Sequence, residues 1–328
     1  MRDCRREANL LPLHLDSMLV NQSRQNNSGL IVSLMQLLIS EVRGVASLVR
    51  QFWMVSLLVA GSCAWFLFES GGAYAATSRS VLHGLCAQRP THSFVVGGEL
   101  LPFDARMTGI YSGALLSWVA LSLRRRLLTS GTPPMAVIAT LVIAVLLLAV
   151  DGVNALLVDL GQRHPYEPQN AVRFFTGFGT GVALTSLQSW LLGTALFKIG
   201  RVIPVWRSPV TLSWVVPASI LVYFSVIVAP AWMYPVIALL LMASAWITVT
   251  GLVLVIVVSA FRLEARITSP SRLHVPLAES AAIGLGVILA LAQGRFWLER
   301  ALGIPQDFVA FAPETVGTIL PLLMGSSG

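Results

Sequence analysis

Long apolar segments separated by short polar ones make up most of the chain. Each of seven such segments is near the ~20 residues that a helix needs to cross about 30 Å of hydrocarbon. The pattern therefore predicts an all-α integral membrane protein with seven transmembrane helices, and Pro217 predicts a kink in the fifth. The predicted spans are 52–69, 107–123, 134–151, 172–197, 210–229, 235–261 and 277–294.

The first fifty residues have a different pattern. Residues 1–28 are polar and basic, which is typical of a flexible tail. In residues 29–50, polar side chains recur on one helical face, which predicts an amphipathic helix lying on the membrane surface. We therefore expect a tail (1–28), an interfacial helix (29–50), a membrane domain (51–294) and an outer C-terminal tail (295–328).

Basic residues are distributed unequally between the two sides of the predicted bundle. Fifteen of the 22 Lys and Arg residues lie in the N-terminal region and in the loops after the second, fourth and sixth spans. Such residues concentrate in cytoplasmic loops, so we expect an inner-membrane protein with its N-terminus inside and its C-terminus outside. Ala73-Tyr74-Ala75 resembles a signal-peptidase site, but an unusually long segment precedes it. We expect the first span to be retained, and processing of residues 1–75 stays open.

The composition of the chain limits the partners and cofactors that it can have. Hydrophobic residues make up 55% of the chain and charged residues 11%, against about 25% charged in a soluble domain. The net charge of +7 sorts by membrane side, so we expect no nucleic-acid partner. All five histidines lie outside the predicted spans, which leaves no intramembrane histidine pair for a haem. Gln188 lies deep in the fourth span, where we expect a hydrogen bond to a neighbouring helix.

Small residues recur four apart in three of the predicted spans. Such stripes allow helix backbones to approach closely in lipid. We interpret them as packing faces within one bundle, and a face for a partner protein is the alternative. The residues are Gly109, Gly113 and Ser117 in the second span, Gly177, Gly181, Thr185, Ser189 and Gly193 in the fourth, and Ala282, Gly286 and Ala290 in the seventh.

Charged residues gather where three spans meet the outer face: Arg106, Asp151 and Arg173. We predict that Asp151 pairs with Arg173 or with Arg106 and ties the helix ends together, because arginine and carboxylate form strong bidentate pairs. Separate contacts of each charge with lipid headgroups are the alternative.

The segment from Cys86 to Gly113 reads CAQRPTHSFVVGGELLPFDARMTGIYSG. Further along are Asp151-Gly152 and then Asn170, Arg173, Thr176, Gly177 and Gly181. Together these resemble a bacterial and archaeal family of predicted membrane proteins of unknown function. Its signature is Cys-His-Gln-Arg, Arg-Ser-Phe and Cys-Ala-Arg-Cys-Thr-Gly-Ile-Tyr, followed by Asp-Gly and Asn-x-x-Arg-x-x-Thr-Gly. The resemblance spans about residues 80–195.

The chain departs from that signature at its cysteines and histidine. It has Cys86-Ala87 for Cys-His, and Asp104-Ala105-Arg106-Met107 for Cys-Ala-Arg-Cys. The family's three cysteines and one histidine would suit a zinc or redox site. Here Cys86, Asp104 and Met107 form a degenerate set, since a thioether is a soft, weak ligand, and we expect no metal. The resemblance implies a fold rather than an activity.

Three classes of function stay open. The sequence favours a non-enzymatic accessory or structural subunit of a larger membrane complex, for example in respiratory or photosynthetic electron transfer. Its partners would be other membrane subunits and lipids. No cofactor of this chain alone is predicted, and a lipid, quinone or pigment at subunit interfaces stays open. The alternatives are a small-solute or lipid transporter, and a membrane enzyme or redox protein with an outer-loop site drawn from Cys86, His83, His92, Asp104 and His164.

Overall fold

The structure is a computed structural model that describes residues 53–69, 73–196, 202–260 and 273–303. The predicted tail (1–28), the predicted interfacial helix (29–50) and most of the predicted outer tail lie outside the described residues. Within these ranges the chain is mostly helical, with one β-hairpin. The elements are α1 (Trp53–Glu69), α2 (Tyr74–Leu82), β1 (Ser93–Val96), β2 (Glu99–Asp104), α3 (Ala105–Leu123), α4 (Met135–Asp159), α5 (Asn170–Leu196), α6 (Val215–Ile227), α7 (Tyr234–Ala260) and α8 (His274–Ala301).

A helix lies at each of the seven predicted span positions. Four described segments are long and apolar enough to cross a membrane: Met135–Asp159, Pro209–Ile227, Ala231–Ala260 and His274–Ala301. The protein is therefore a multi-pass membrane protein. α3 and α5 carry many Gly, Ser and Thr residues, which lowers their hydropathy, and these two helices are also extensively buried.

The parallel pair α3 and α5 forms the centre of the described bundle. A Cβ placed on Gly109 would clash with the carbonyl oxygen of Phe174, and one on Gly181 would clash with that of Ile110. The Thr185 hydroxyl donates to the Ala114 carbonyl oxygen at 3.3 Å. The two backbones approach so closely because glycine leaves room for the facing main chain.

α7 packs against the central pair through buried polar contacts, and α8 packs against α7. Gln188 is 2% exposed, and its Nε2 donates to the Thr248 carbonyl oxygen at 2.7 Å, as the predicted helix–helix hydrogen bond requires. The Ser244 hydroxyl donates to the Tyr111 carbonyl oxygen at 2.6 Å. These bonds join α5 and α3 to α7 at a depth where water cannot replace them.

The structure corrects three details of the predicted architecture. An antiparallel hairpin, β1–β2, occupies part of the loop between the first two predicted spans (70–106), so the fold is not purely α-helical. The predicted outer tail from residue 295 begins inside α8, which continues to Ala301. Pro217 lies in the first turn of α6, where its missing N–H has no intrahelical acceptor, so the predicted kink is wrong.

Candidate functional site

The β-hairpin lies where α3 begins, and we call this end of the bundle the hairpin end. Gly97 and Gly98 turn the chain with φ of 61° and 88°, a region that glycine adopts without steric cost. Asp104 closes β2 and caps α3, because its Oδ1 accepts from the Met107 backbone N–H at 2.8 Å. The hairpin therefore fixes where α3 starts.

The degenerate set of Cys86, Asp104 and Met107 lies together at this junction. The Cys86 sulfur accepts backbone N–H bonds from Gln88 at 3.4 Å and from Asp104 at 3.3 Å. The Asp104 carboxylate is committed to the helix cap, and the partly buried Met107 packs against the apolar core. Among the described residues, no group of three His, Cys, Asp or Glu side chains has the arrangement of a metal site.

The Cys86 thiol is held in its neutral form. The side chain is buried, and burial, followed by the charge of the nearby Asp104, raises the pKa of Cys86 from 9.0 to about 11. A neutral thiol is a poor nucleophile and a poor metal ligand. The surroundings of Cys86 therefore favour a packing role.

Asp151 is the centre of an ionic cluster formed by α3, α4 and the loop between α4 and α5. It is 1% exposed, and its two oxygens have different donors. Arg106 Nη2 donates to Oδ2 at 2.6 Å, and the Tyr166 hydroxyl donates to Oδ1 at 3.0 Å. Asn154, one turn further on, donates to the Tyr166 carbonyl oxygen at 2.8 Å and so fixes that loop.

Arg173 lies near this cluster but has a different hydrogen-bond partner. Its Nη1 donates to the Asn170 side-chain oxygen at 2.9 Å, so the structure pairs Asp151 with Arg106 and not directly with Arg173. Burial of Tyr166, its hydrogen bond to Asp151 and the charge of Asp151 all raise the pKa of its phenol. The phenol therefore stays a hydrogen-bond donor at neutral pH.

A second buried cluster joins the segment that follows α2 to the end of α8. His83 is 4% exposed, stacks on Phe296 and bonds through Nε2 to Glu299 at 2.7 Å and through Nδ1 to Gln88 Oε1 at 3.2 Å. Gln88 Nε2 already donates to the carbonyl oxygens of Arg79 and Pro102, which turns Oε1 toward the imidazole. The two ring nitrogens are therefore held by two different side chains, Gln88 and Glu299.

Arg295 completes this second cluster. Its Nε donates to Glu299 Oε1 at 2.7 Å, and its Nη1 donates to the carbonyl oxygens of His83 and Cys86. Glu299 thus accepts from both a guanidinium and an imidazole. The contacts tie α8 to a loop more than two hundred residues earlier in the chain.

The remaining loop histidines do not join either cluster. His164 is exposed and bonds to Glu167 at 2.9 Å, which raises the pKa of His164. Burial, then the charges of Arg173 and Arg89, lower the pKa of His92. The structure therefore does not bring together the five residues considered for an outer-loop enzyme site.

Sequence reasoning missed several members of these clusters. The hairpin did have a signal, because Gly97-Gly98 separates two runs rich in apolar residues. Arg295 and Glu299 stand four apart, as a helical ion pair does, but lay in a segment predicted to be tail. Tyr166 and Gln88 had no recognisable signal, since only the fold brings them to their partners.

Part of the chain is similar to a known protein family. Residues 86–187 match a family described as "Predicted membrane protein (DUF2085)". The matched region contains the hairpin, α3, α4 and much of α5, including Cys86, the Asp151 cluster and the glycine contacts. No curated protein and no solved structure matches the chain. The match supports a membrane protein of unknown function.

Proposed function

We propose that this protein is an accessory, structural subunit of a larger membrane complex. It would cross the membrane seven times with its N-terminus inside, and would be a divergent relative of its family that has lost most of the cysteine and histidine set. The observation that carries the proposal is the use of the buried ionisable groups at the hairpin end. They bond to one another and to the backbone, and thereby join distant elements.

The Asp151 cluster holds the adjoining ends of α3 and α4 and the α4–α5 loop together. Its carboxylate accepts from α3 through Arg106 and from the α4–α5 loop through Tyr166, while it is itself part of α4. A general base or a nucleophile needs an accessible lone pair close to where a substrate can bind. Both oxygens of this 1% exposed carboxylate are already occupied, which supports a structural role.

The His83 cluster supports the same interpretation. The imidazole is enclosed between Phe296, Gln88 and Glu299, and Arg295 binds two backbone carbonyl oxygens as well as the carboxylate. Each contact fixes the end of α8 against the outer loop. Such a network gives a rigid platform, because removing one member leaves a buried polar group without its partner.

The outward-facing surface of α4 is suited to contacts within the membrane. Its side chains are almost all apolar, and only 11% of the residues in its most apolar 18-residue stretch are buried. Val142, Leu146 and Val150 are each about half exposed, at 49%, 56% and 58%. This face would be covered by lipid in an isolated subunit, and in part by neighbouring subunits in the proposed complex.

Purification from native membranes tests the proposal. The chain would be tagged in its own host, extracted in a mild detergent and analysed by quantitative mass spectrometry, with another tagged multi-pass protein of the same membrane as the control. We expect a fixed set of other membrane proteins in constant ratio to this chain and absent from the control. A chain that purifies alone would overturn the proposal and favour the transporter alternative.

A further inference from the structure

We propose that His83 is the proton-binding residue of a pH-sensitive latch, which holds the end of α8 to the segment that follows α2 while the imidazole is protonated and loosens when the proton leaves. We call this connection the His83 latch, and it consists of His83, Gln88, Arg295 and Glu299. The proposal goes beyond the structural role of the cluster and does not depend on the accessory-subunit role.

The side-chain amide of Gln88 is oriented so that it accepts a hydrogen bond from the imidazole. Its Nε2 donates to the main-chain carbonyl oxygens of Arg79 at 2.8 Å and of Pro102 at 2.9 Å. Both amide hydrogens are thus in use, and Gln88 Oε1 lies 3.2 Å from His83 Nδ1. The reverse orientation would place the amide oxygen against two carbonyl oxygens. His83 Nδ1 therefore has to supply the hydrogen of this bond.

Glu299 presents an ionised carboxylate to the other ring nitrogen. Arg295 Nε donates to Glu299 Oε1 at 2.7 Å, and a guanidinium in a protein keeps its charge. An opposite charge at this distance favours the ionised form of a carboxyl group. Glu299 Oε2 is therefore an acceptor, and it lies 2.7 Å from His83 Nε2. A hydrogen on Nε2 completes this bond.

The number of ring hydrogens decides whether both bonds form. A neutral imidazole carries one N–H and an imidazolium carries two, so only the protonated ring donates to Gln88 and Glu299 at once. After the proton leaves, one ring nitrogen presents a lone pair to an oxygen acceptor. The side chains of His83 and Glu299 are only 5% and 14% exposed, so water replaces the lost bond poorly. The end of α8 is then held less tightly.

Other charged and titratable groups adjoin the imidazole. Arg295 opposes its protonation, whereas the Glu299 carboxylate, which bonds to the ring directly, favours it. Cys86, in the same segment, is neutral because burial raises its pKa from 9.0 to about 11. On the neighbouring elements, the charge of Glu99 on β2 acts on Arg79 of α2. Imidazole is the type of side chain in this set that exchanges a proton in the neutral pH range.

NMR of the full chain in mixed micelles, with histidine labelled at its ring nitrogens, would show the protonation of the ring directly. The His83 signal is identified by its contact with the Phe296 ring, on which the imidazole stacks. We expect both ring nitrogens to carry hydrogen at pH 5.5 and one of them to have lost it by pH 8.5. Glu299→Gln should move this transition to lower pH, because it removes the charge that favours the imidazolium.

Hydrogen–deuterium exchange of the same chain would measure the latch itself. After correction for the intrinsic pH dependence of exchange, we expect the amides of residues 295–301 to exchange about tenfold faster at pH 8.5 than at pH 5.5. His83→Gln should abolish this dependence. His164→Gln is the matched control and should preserve it, because the exposed pair of His164 with Glu167 lies outside the latch.

Three results would overturn the proposal. A His83 ring that stays neutral, or stays protonated, from pH 5.5 to pH 8.5 would show that it exchanges no proton in this range. A transition that Glu299→Gln leaves in place would show that the carboxylate does not hold the proton. An equal pH dependence of exchange in His83→Gln and in the unmodified chain would assign the effect to another group. If His83→Gln does not fold, the NMR comparison of the unmodified chain with Glu299→Gln decides.

Discussion

The two ends of the α3–α5 pair balance their charges in different ways. At the hairpin end, carboxylates within the chain accept from Arg106, from Arg295 and from His83. At the opposite end of the pair, Arg124 and Arg126 donate to backbone carbonyl oxygens, and burial, then the charges of Arg207 and Arg124, lower the pKa of Arg126. The described ion pairs of the first end thus use carboxylates as acceptors, whereas Arg124 and Arg126 use main-chain carbonyl oxygens. We therefore expect substitutions in the ionic clusters of the hairpin end to cost more stability than a substitution of Arg124.

The largest expected effect is on the helix pair that joins the two ends. Gly181→Leu would push α5 away from Ile110 and Ala114, whose backbone atoms contact Gly181 directly. We expect a loss of about 3 kcal/mol or more in the free energy of unfolding, measured by denaturation in mixed micelles. Gly286→Leu is the control, because open space surrounds Gly286 and no loss is expected. Equal losses in the two variants would contradict close backbone packing.

The next effect is confined to the hairpin end. Asp151→Asn removes the charge that faces Arg106, whose side chain is 26% exposed while that of Asp151 is 1% exposed. Breaking a fully buried pair costs about 3–5 kcal/mol, and the partial exposure of Arg106 reduces our expectation to about 2–3 kcal/mol.

Asp159→Asn provides the matched comparison for that variant. Its pair with Arg89 is exposed on both sides, at 39% and 54%, so we expect a loss of at most about 1 kcal/mol. The same denaturation measurement compares the two variants. If Asp159→Asn lowered the free energy of unfolding as much as Asp151→Asn does, burial would not explain the contribution of the Asp151 cluster to stability.

A smaller effect concerns the pH dependence of the hairpin end. Because burial raises the pKa of Cys86 to about 11, the folded state favours the neutral thiol. Its contribution to stability should be constant below pH 9 and should decline as the pH rises toward 11.

Thiol labelling measures this property directly. In a chain carrying Cys4→Ser and Cys63→Ser, Cys86 should react slowly with a water-soluble maleimide at pH 7 and faster above pH 9. The same chain with V95C and Cys86→Ser is the control, since Val95 is 54% exposed on the hairpin. Equal rates at pH 7 would show that Cys86 is accessible and ionised, and would revive a reactive role.

The smallest effect is expected at Arg124, where α3 ends. Arg124→Gln removes the contact of this exposed guanidinium with the buried Trp206 ring and one bond to a carbonyl oxygen, together worth about 0.5–1 kcal/mol. The same denaturation in mixed micelles would measure the loss. A loss as large as that of Asp151→Asn would contradict the contrast between the two ends.

The sequence predicted contacts that depend on local spacing better than contacts that depend on the fold. The four-residue spacing of Gly177 and Gly181 indicated where a helix backbone could approach, and both glycines face α3. Gln188 was identifiable because a lone amide in an apolar segment needs a partner in lipid. These signals are local, so one sequence suffices to detect them.

The rest of the candidate site depends on long-range contacts. Glu299 reaches His83, and Arg295 reaches the Cys86 carbonyl oxygen, across more than two hundred residues. Asp151 had two arginines within plausible reach, and only the packed helices decide between Arg106 and Arg173. The hairpin was predictable from its Gly-Gly turn but was obscured by the surrounding polar loop residues.

The mass of the native particle is the most direct test of the accessory-subunit role. The particle would be released from native membranes in a mild detergent and weighed by native mass spectrometry before any affinity step. We expect a mass that exceeds the 35.3 kDa of this chain by that of at least one different polypeptide. A particle of one chain, or of a whole number of identical chains, would contradict the accessory-subunit role.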